Sequence, residues 1–214
     1  MRTVQLCEID PYCQDILKRH FPGVPIHGDI KTLEVPTVDV VCGGPPCQPV
    51  SLAGARGGES DSRWLWAEFL ECCRRARAAW VVAENPIGIL SMRPRGIEWI
   101  IGEMEAMGYE VQCFRMAASD VGAPHRRARV FLVAYAGRFR YKTARAGDTG
   151  KKTPSWESHG SVLDRRGWRL PTPGFLGLAN GVPNWVDRTS AIGNSIVPRI
   201  AYIIGKGIID VMNA

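Results

Sequence analysis

The chain has 214 residues, of which 45% are hydrophobic and 22% charged, a composition typical of one globular domain with a sizeable core. This composition excludes a disordered chain, a coiled coil and a collagen-like repeat. No apolar run approaches the ~18–20 residues that cross a bilayer, so we expect a cytoplasmic protein without a membrane segment. The seven cysteines include no C-x-x-C pair, so we expect free thiols and no metal site.

The net charge of +6 is concentrated in one part of the chain. Residues 137–170 hold nine of the 27 Lys and Arg residues but three of the 21 Asp and Glu residues, so the rest of the chain is neutral. The segment has weak periodicity and many turn-forming residues. Such a basic segment indicates either contact with phosphate groups or a solvated loop.

Short apolar runs alternate with helical patterns along the first two-thirds of the chain. The predicted strands cover 3–7, 38–42, 80–83, 109–116 and 130–135, and the predicted helices cover 11–20, 64–79, 97–107 and 198–211. Asp10-Pro11 is a typical helix start, because Asp caps the first turn and Pro fits its first position. The alternation predicts an α/β fold with a mainly parallel, doubly wound sheet.

Polar residues follow several of these strands. Glu8 and Asp29 come after the first two apolar runs, the loop Gly43–Ser60 follows the next, and Glu84-Asn85 follows the run at 80–83. Because parallel strands end at the same edge of a sheet, where α/β proteins bind ligands, these residues predict a pocket.

The segment Gly43–Gln48 (GGPPCQ) carries the most specific chemical signal. A strand runs into a rigid Pro-Pro turn that holds one thiol, that of Cys47, in place. A thiol acts as a nucleophile when nearby positive charge or amide groups stabilise its thiolate. Cys47 is therefore a candidate nucleophile, whereas we expect the other cysteines to be small buried hydrophobes.

Together with Glu84-Asn85-Pro86, this segment resembles the DNA cytosine carbon-5 methyltransferases, whose fourth motif reads Pro-Cys-Gln and whose sixth reads Glu-Asn-Val or Glu-Asn-Pro. Four further segments resemble the second, third, eighth and tenth motifs in the family's order, namely Leu6–Asp10, Gly28–Ile30, Gly122–Phe131 and Gly193–Pro198. His125 stands where the eighth motif usually has Gln.

The resemblance implies a DNA-modifying enzyme of prokaryotes or phages, of the restriction-modification kind. It would transfer a methyl group from S-adenosyl-L-methionine to carbon 5 of a cytosine flipped out of duplex DNA. Cys47 would add to carbon 6 of the base, and Glu84 would hydrogen-bond ring nitrogen 3. Asn85 would position that loop, and Arg129 would contact the carbonyl oxygen of the base, with Arg127 beside it.

The same resemblance assigns the cofactor site and the DNA contacts. The acid of the second motif holds the cofactor ribose, and the third motif meets the adenine. The implied cofactor-binding residues are Glu8, Ile9, Asp29, Ile30, Pro46, Asn194 and Ser195, with no metal. The implied DNA-binding residues are Gln48, Ser51, Arg138, Arg140, Lys142, Arg165 and Arg166.

The resemblance also predicts how the chain is organised. We expect a catalytic core over 1–136, a short basic DNA-recognition segment over 137–170 and a return to the core over 171–214. A recognition segment of about 35 residues is too short for a separate lobe, because domains usually need 50 residues or more. A short target or reduced specificity would follow.

The chain departs from the family pattern at its beginning. The family opens with a strand and a Phe-x-Gly-x-Gly turn around the methionine part of the cofactor, and this motif is absent from the sequence. We therefore expect a sheet that lacks its first strand. A misassigned start, a decaying or phage-borne gene fragment, and a second chain or dimer partner that supplies the strand are the three explanations.

Other functions remain open beside the cytosine methyltransferase. The chain could be a catalytically impaired remnant that binds DNA or cofactor, or one half of a split enzyme. Methyltransferases that act on the adenine amino group use an Asp/Asn-Pro-Pro-Tyr/Phe loop without a thiol, which Gly44–Cys47 (GPPC) does not match. A cysteine hydrolase would need a histidine base near Cys47, for which His125 is the candidate with a suggestive context.

Overall fold

The computed structural model describes residues 1–46, 64–92, 94, 96–137 and 194–213. The chain divides into two compact units: Met1–Met116 with Ala128–Tyr141, and Ala117–Arg127 with Lys142–Ala214. None of the helices in the described ranges is long and apolar enough to cross a membrane. The division into 1–136, 137–170 and 171–214 stays a prediction, since most of the last two ranges lies outside the described residues.

The first unit begins with a two-stranded parallel sheet. β1 (Leu6–Cys7) pairs with β2 (Ile26–His27), and α1 (Pro11–His20) connects them. α1 covers the predicted residues, because the Asp10 side chain accepts hydrogen bonds from two backbone N–H groups of the first turn and a proline occupies its beginning. β1 is shorter than the predicted strand, since only its last two residues pair with β2.

A second, four-stranded sheet contains β3 (Val40–Gly43), β4 (Trp80–Pro86), β5 (Tyr109–Ala117) and β6 (Ala128–Ala136). Their order is β3-β4-β6-β5. β3 and β4 are parallel, whereas β4 and β6 are antiparallel. The N–H of Gly137 donates to the carbonyl oxygen of Gly108 at 3.3 Å, which places the end of β6 beside the beginning of β5.

Two helices cover this sheet with their apolar faces. α2 (Trp66–Ala76) buries residues three or four apart, including Trp66, Phe69 and Cys73, as an amphipathic helix does. α3 (Ile97–Ala106) buries Ile97, Ile100 and Met104 in the same hydrophobic cluster. The chain turns into β5 at Gly108, whose φ of 86° lies in the left-handed region that favours glycine.

The second unit is described for two segments. α4 (Pro198–Met212) buries Ile200, Ile204 and Ile208, which lie on one face because they are four residues apart. A short 3-10 helix over Ala118–Val121 buries Ala118 and Val121. Ala117, Ala123 and Val197 are also buried in the described part of this unit.

The α/β class predicted from the sequence is confirmed, with corrections to several element ends. β4 was expected to end before Glu84-Asn85, but it continues through Pro86 because β6 pairs with it along its whole length. Gly43, expected in a loop, is the last residue of β3. The helix expected over 64–79 covers Trp66–Ala76, and it ends at Arg77, which has a positive φ of 51°.

Candidate active site

The ends of β3 and β4 bring the first site residues together. The two strands are parallel, with Gly43 opposite Ala83, so the segment after β3 lies beside Glu84 and Asn85. The Asn85 side chain is fully buried, and its Nδ2 donates to the carbonyl oxygen of Pro45 at 3.2 Å and to that of Glu84. The segment that leads to Cys47 is therefore attached to β4 two residues before the cysteine.

Glu84 forms a largely buried ion pair with Arg129. The Nε of Arg129 lies 2.9 Å from Oε1 of Glu84, and the two side chains are 20% and 15% exposed. The antiparallel register places Glu84 opposite Phe131, so Arg129 is the diagonal neighbour on the same face. The Nη1 of Arg129 also donates to the carbonyl oxygen of Ala128 at 2.9 Å, which fixes the guanidinium orientation.

Two glycines let the backbone after β3 pack closely against α2 and against Glu84. A Cβ at Gly43 would overlap the ring of Phe69 on α2. A Cβ at Gly44 would lie 3.6 Å from Oε2 of Glu84, so the carboxylate lies against the backbone just before Pro45. Because Gly43 and Gly44 have no side chains, the segment that ends at Pro45 can pack directly against the Glu84 carboxylate.

A second group of predicted site residues lies where β1 and β2 end. Oε1 of Glu8 accepts a hydrogen bond from the N–H of Asp10 at 2.9 Å, and the carbonyl oxygen of Glu8 accepts one from Nε2 of Gln14 at 2.6 Å. Asp29 begins a short 3-10 helix, with its Oδ1 accepting from the N–H of Lys31 at 2.9 Å. Ile9, between the acids Glu8 and Asp10, is 73% exposed.

Glu8 and Asp29 both lie close enough to Cys7 to influence the pKa of its thiol. Partial burial raises the pKa of Cys7, and Cys72, Asp29 and Glu8 raise it further through their negative charge. The two carboxylates at the ends of neighbouring parallel strands thus act on the same group. This end of the small sheet is acidic and carries an exposed apolar side chain.

In the second unit, Arg127 connects two segments that are far apart in the sequence. Its Nη2 donates to the carbonyl oxygen of Ser195 at 2.7 Å, and its own carbonyl oxygen accepts from the N–H of Ala118 at 2.9 Å. Asn194 and Ser195 are exposed and lie just before α4. The arginine therefore holds the turn that leads into α4.

The family model of the C-5 cytosine-specific DNA methylases matches residues 1–167. The chain belongs to this family. The resemblance inferred from the sequence motifs is thereby confirmed.

Named relatives support the same assignment. The chain is 33% identical to the Type II methyltransferase M2.BsuMI of Bacillus subtilis over 139 residues. This alignment covers 62% of this chain and 36% of that protein. It is 34% identical over 153 residues to the Type II methyltransferase M.AquIA of Picosynechococcus sp., with 61% of this chain and 62% of that protein covered. The chain therefore spans less than two thirds of the length of each relative.

The fold also matches solved methyltransferase structures. A mutant of DNMT2 from Spodoptera frugiperda superposes with a TM-score of 0.53 at 21% identity, over 71% of this chain and 48% of that chain. At this identity the likeness concerns the fold.

Several predicted site residues of this family member lie outside the described residues. Pro46 is described and exposed, but the structure describes none of Cys47, Gln48, Ser51, Arg138, Arg140, Lys142, Arg165 and Arg166. The roles expected for these eight residues stay predictions. In the ranges that are described, no cluster of three or more His, Cys, Asp or Glu side chains could hold a metal ion.

The expectation of small buried hydrophobes is wrong for three cysteines. All six described cysteines are free thiols, but Cys7, Cys42 and Cys113 are exposed. Each lies on β1, β3 or β5, which have a described neighbour on one side only. A strand at the edge of a sheet leaves its side chains less covered than a central strand does.

Sequence reasoning missed two supporting contacts of the site. It did not predict that Arg129 pairs with Glu84, because the antiparallel pairing of β4 with β6 has no local signal. It also missed Gln14, which donates to the Glu8 carbonyl oxygen from the first turns of α1. The cap at Asp10 was the available signal that α1 begins beside Glu8.

Proposed function

We propose that this family member transfers a methyl group from S-adenosyl-L-methionine to carbon 5 of a cytosine in double-stranded DNA. The attachment of Pro45 to Asn85, beside the Glu84–Arg129 ion pair, is the observation that carries the proposal. It brings a carboxylate and a guanidinium, both largely buried, next to the segment that leads to Cys47. The names of the relatives favour a role in DNA modification by prokaryotes or phages.

The proposed reaction needs a nucleophile because carbon 5 of cytosine is unreactive. The thiolate of Cys47 forms a bond to carbon 6, which moves an electron pair to carbon 5. Carbon 5 then takes the methyl group that S-adenosyl-L-methionine supplies, and the donor leaves as a neutral thioether. Loss of the carbon 5 proton to a base and cleavage of the sulfur–carbon bond restore the thiolate and the aromatic ring.

Glu84 and Arg129 have the chemistry to bind the base in this reaction. One proton, taken up as the base binds, would be shared in a hydrogen bond between the carboxyl group of Glu84 and ring nitrogen 3, and Arg129 would donate to the neighbouring carbonyl oxygen. Because Glu84 and the carbonyl oxygen of Ala128 already orient the guanidinium of Arg129, little reorganisation of this cation is needed when negative charge develops on the base. Asn85 would act as a positioning residue through Pro45.

The residues at the ends of β1 and β2 fit the adenosine part of the methyl donor. The described contacts of the Glu8 side chain engage Oε1, so Oε2 is suited to accept hydrogen bonds from ribose hydroxyl groups. The exposed Ile9 offers an apolar surface for a flat ring. Asp29 and Ile30 follow β2 on the same side, which supports the adenine contact expected from the family.

Duplex DNA is the proposed partner. A cytosine inside a duplex must be flipped out before its carbon 6 is accessible, at a cost of a few kcal/mol. The basic segment 137–170 would supply the phosphate contacts that offset this cost. Arg138, Arg140, Lys142, Arg165 and Arg166 are its proposed phosphate-binding residues, with Gln48 and Ser51 near the base.

Transfer of a labelled methyl group from S-adenosyl-L-methionine to mixed-sequence duplex DNA tests the proposal. The wild-type chain is compared with Cys47→Ala and with Cys113→Ala, which removes an exposed thiol on β5. A second assay uses DNA with 5-fluorocytosine, whose carbon 5 cannot lose a proton, so that the covalent adduct persists. We expect transfer and adduct formation with the wild type and with Cys113→Ala, and neither with Cys47→Ala.

Other outcomes would contradict the proposal in different ways. Transfer by Cys47→Ala would show that the nucleophile is wrong. A folded wild-type chain that binds DNA but forms neither product nor adduct would indicate a remnant without catalytic activity. Methylation of adenine would assign the chain to a different reaction.

A further inference from the structure

A groove of about 240 Å³ lies between α2 and α3 in the first unit. It is lined by Leu70, Glu71 and Arg74 on α2 and by Trp99, Glu103 and Met107 at α3. Because the charged side chains among these residues are exposed, the groove opens to solvent. Pockets that bind small molecules usually measure about 300–1,000 Å³, so this groove has room for one or two side chains of another protein.

The groove lies apart from the candidate active site. α2 and α3 pack in one hydrophobic cluster with Val81 and Ala83 of β4. Side chains alternate between the two faces along a strand, so Glu84 points to the opposite face of the sheet. A molecule in the groove would therefore not contact the ion pair of Glu84 with Arg129.

Apolar side chains form the floor of the groove. Leu70 is buried, and Trp99 and Met107 are half-buried against the hydrophobic cluster of the first unit. The ring of Trp99 also packs near that of Trp64, with the ring centroids 6.5 Å apart. These contacts hold the indole in place, so the floor is a preformed apolar surface that need not be ordered on binding.

The two sides of the groove differ in charge. On α2, Arg74 donates two hydrogen bonds to Glu71, from Nε at 2.8 Å and from Nη2 at 2.7 Å, and Nε of Arg75 lies 3.6 Å from the same carboxylate. The charge of Glu71 is thus matched on its own helix. On α3, the exposed carboxylate of Glu103 has no ion-pair partner within the described ranges. The α3 side of the groove is therefore negative.

The end of α3 carries charges that oppose the helix dipole. Basic residues occupy the last turns of α1 and α2, where a helix favours cations, whereas the last turn of α3 has Glu103 and Glu105 and no basic residue. Local choices that oppose the fold tend to mark functional positions. A cation bound beside Glu103 would offset both its carboxylate and the partial negative charge of the helix end.

Trp99 completes a site for an arginine side chain. It lies about one turn before Glu103, so both side chains are on one face of α3. A guanidinium is planar, pairs with a carboxylate and stacks on an aromatic ring. In the described part of the chain, no three His, Cys, Asp or Glu side chains cluster to hold a metal ion instead. Nucleic acid is disfavoured as well, because its phosphates would face Glu103.

We propose that the groove between α2 and α3 is a docking site for a protein partner that presents an arginine and a leucine one turn apart on a helix. The guanidinium would lie on Trp99 and pair with Glu103, and the leucine would pack against Leu70 and Met107. The distance along α3 from Trp99 to Met107 is about 12 Å, which matches two turns of a bound helix.

Fluorescence anisotropy of a labelled peptide tests the groove in the absence of DNA and of a methyl donor. The probe is an alanine- and glutamine-rich peptide of about 16 residues, long enough to be partly helical, with one arginine and a leucine one turn later. It is titrated with the full chain and with two variants of α3. Glu103→Gln removes the groove carboxylate, and Glu105→Gln removes the same charge from an exposed residue of the same turn that does not line the groove.

We expect Glu103→Gln to bind the peptide about fivefold more weakly than the wild type, because an ion pair and a cation–π contact at an exposed site are both modest. Glu105→Gln should bind within about twofold of the wild type, since its charge is screened by solvent. A peptide with glutamate in place of arginine should bind Glu103→Arg better than it binds the wild type. Circular dichroism verifies that the variants keep their helices.

Other results would overturn the proposal. A Kd above about 1 mM for the arginine peptide would reject the groove as a docking site. Equal weakening by Glu103→Gln and Glu105→Gln would show attraction by overall charge alone. Displacement of the peptide by duplex DNA would assign this face to nucleic acid. Self-association of the wild-type chain that Glu103→Gln abolishes, measured by sedimentation velocity, would assign the groove to a second copy of the chain.

Discussion

Asn85 connects the strand β4 to the segment that carries Cys47, and its replacement should affect both stability and activity. The side chain is fully buried, and its Nδ2 donates to the carbonyl oxygens of Pro45 and Glu84. Asn85→Ala removes both hydrogen bonds. A buried acceptor that loses its partner costs about 1–3 kcal/mol, so two weakened acceptors and a small cavity should lower the free energy of unfolding by about 2–4 kcal/mol.

Urea denaturation measures this change, and thermal unfolding should show it as a decrease in Tm. For a chain of this size each kcal/mol lowers Tm by about 2–4 °C, so we expect about 5–15 °C. Gln112→Ala is the matched control, since it removes an exposed side-chain amide from β5 and should change stability by less than about 0.5 kcal/mol.

Asn85→Asp separates the lost hydrogen bonds from the lost volume. The carboxylate has nearly the same shape but presents oxygen atoms to the Pro45 and Glu84 carbonyls, so it should be at least as destabilising as alanine. If Asn85→Ala were as stable as Gln112→Ala, or Asn85→Asp as stable as the wild type, the hydrogen-bond account would be refuted. Under the proposed function, both Asn85 variants should also lose methyl transfer beyond their loss of folded protein.

Three further substitutions test other parts of the structure. Glu84→Gln leaves Arg129 without its carboxylate partner in a site where the two side chains are 15–20% exposed, so the free energy of unfolding should fall by about 2–4 kcal/mol. An unchanged midpoint of urea denaturation would contradict the ion pair. Gly43→Ala places a methyl group against the Phe69 ring and should cost about 1–3 kcal/mol, with partial recovery in the double variant Gly43→Ala/Phe69→Leu. Asp10→Ala removes the cap of α1 and should cost about 1 kcal/mol by chemical denaturation, while a neutral effect would show that the cap contributes little.

Local patterns in the sequence correctly predicted the helices and strands whose ends depend on interactions between residues close together in the sequence. α1 matches its predicted range because the Asp10-Pro11 start acts on the adjacent first turn. The apolar spacing in α2 and α3 predicted their buried faces, since helix periodicity decides which residues share a face. The family was readable from the motifs around Glu8, Asp29, Cys47, Glu84 and Arg127, and from the segment Gly193–Pro198.

Pairing between distant segments had to come from the tertiary structure. The extension of β4 through Glu84 and Asn85 depends on β6, which lies some forty residues later and contributes the partner backbone groups. The burial of Cys42 and Cys7 was predicted wrongly for a related reason. An apolar run in the sequence indicates that a strand is suited to a hydrophobic core. Whether its side chains are buried depends on the strands and helices that pack against it in the folded chain.

The sequence by itself determined the α/β class, the starts of α1, α3 and α4, and the residue types of the candidate site. Only the tertiary structure decided that Arg129 pairs with Glu84, that Asn85 holds Pro45, and that β1 and β3 belong to separate sheets. The physical reason is that propensity, capping and periodicity act over a few residues, whereas strand register and buried polar contacts depend on atoms that folding brings together.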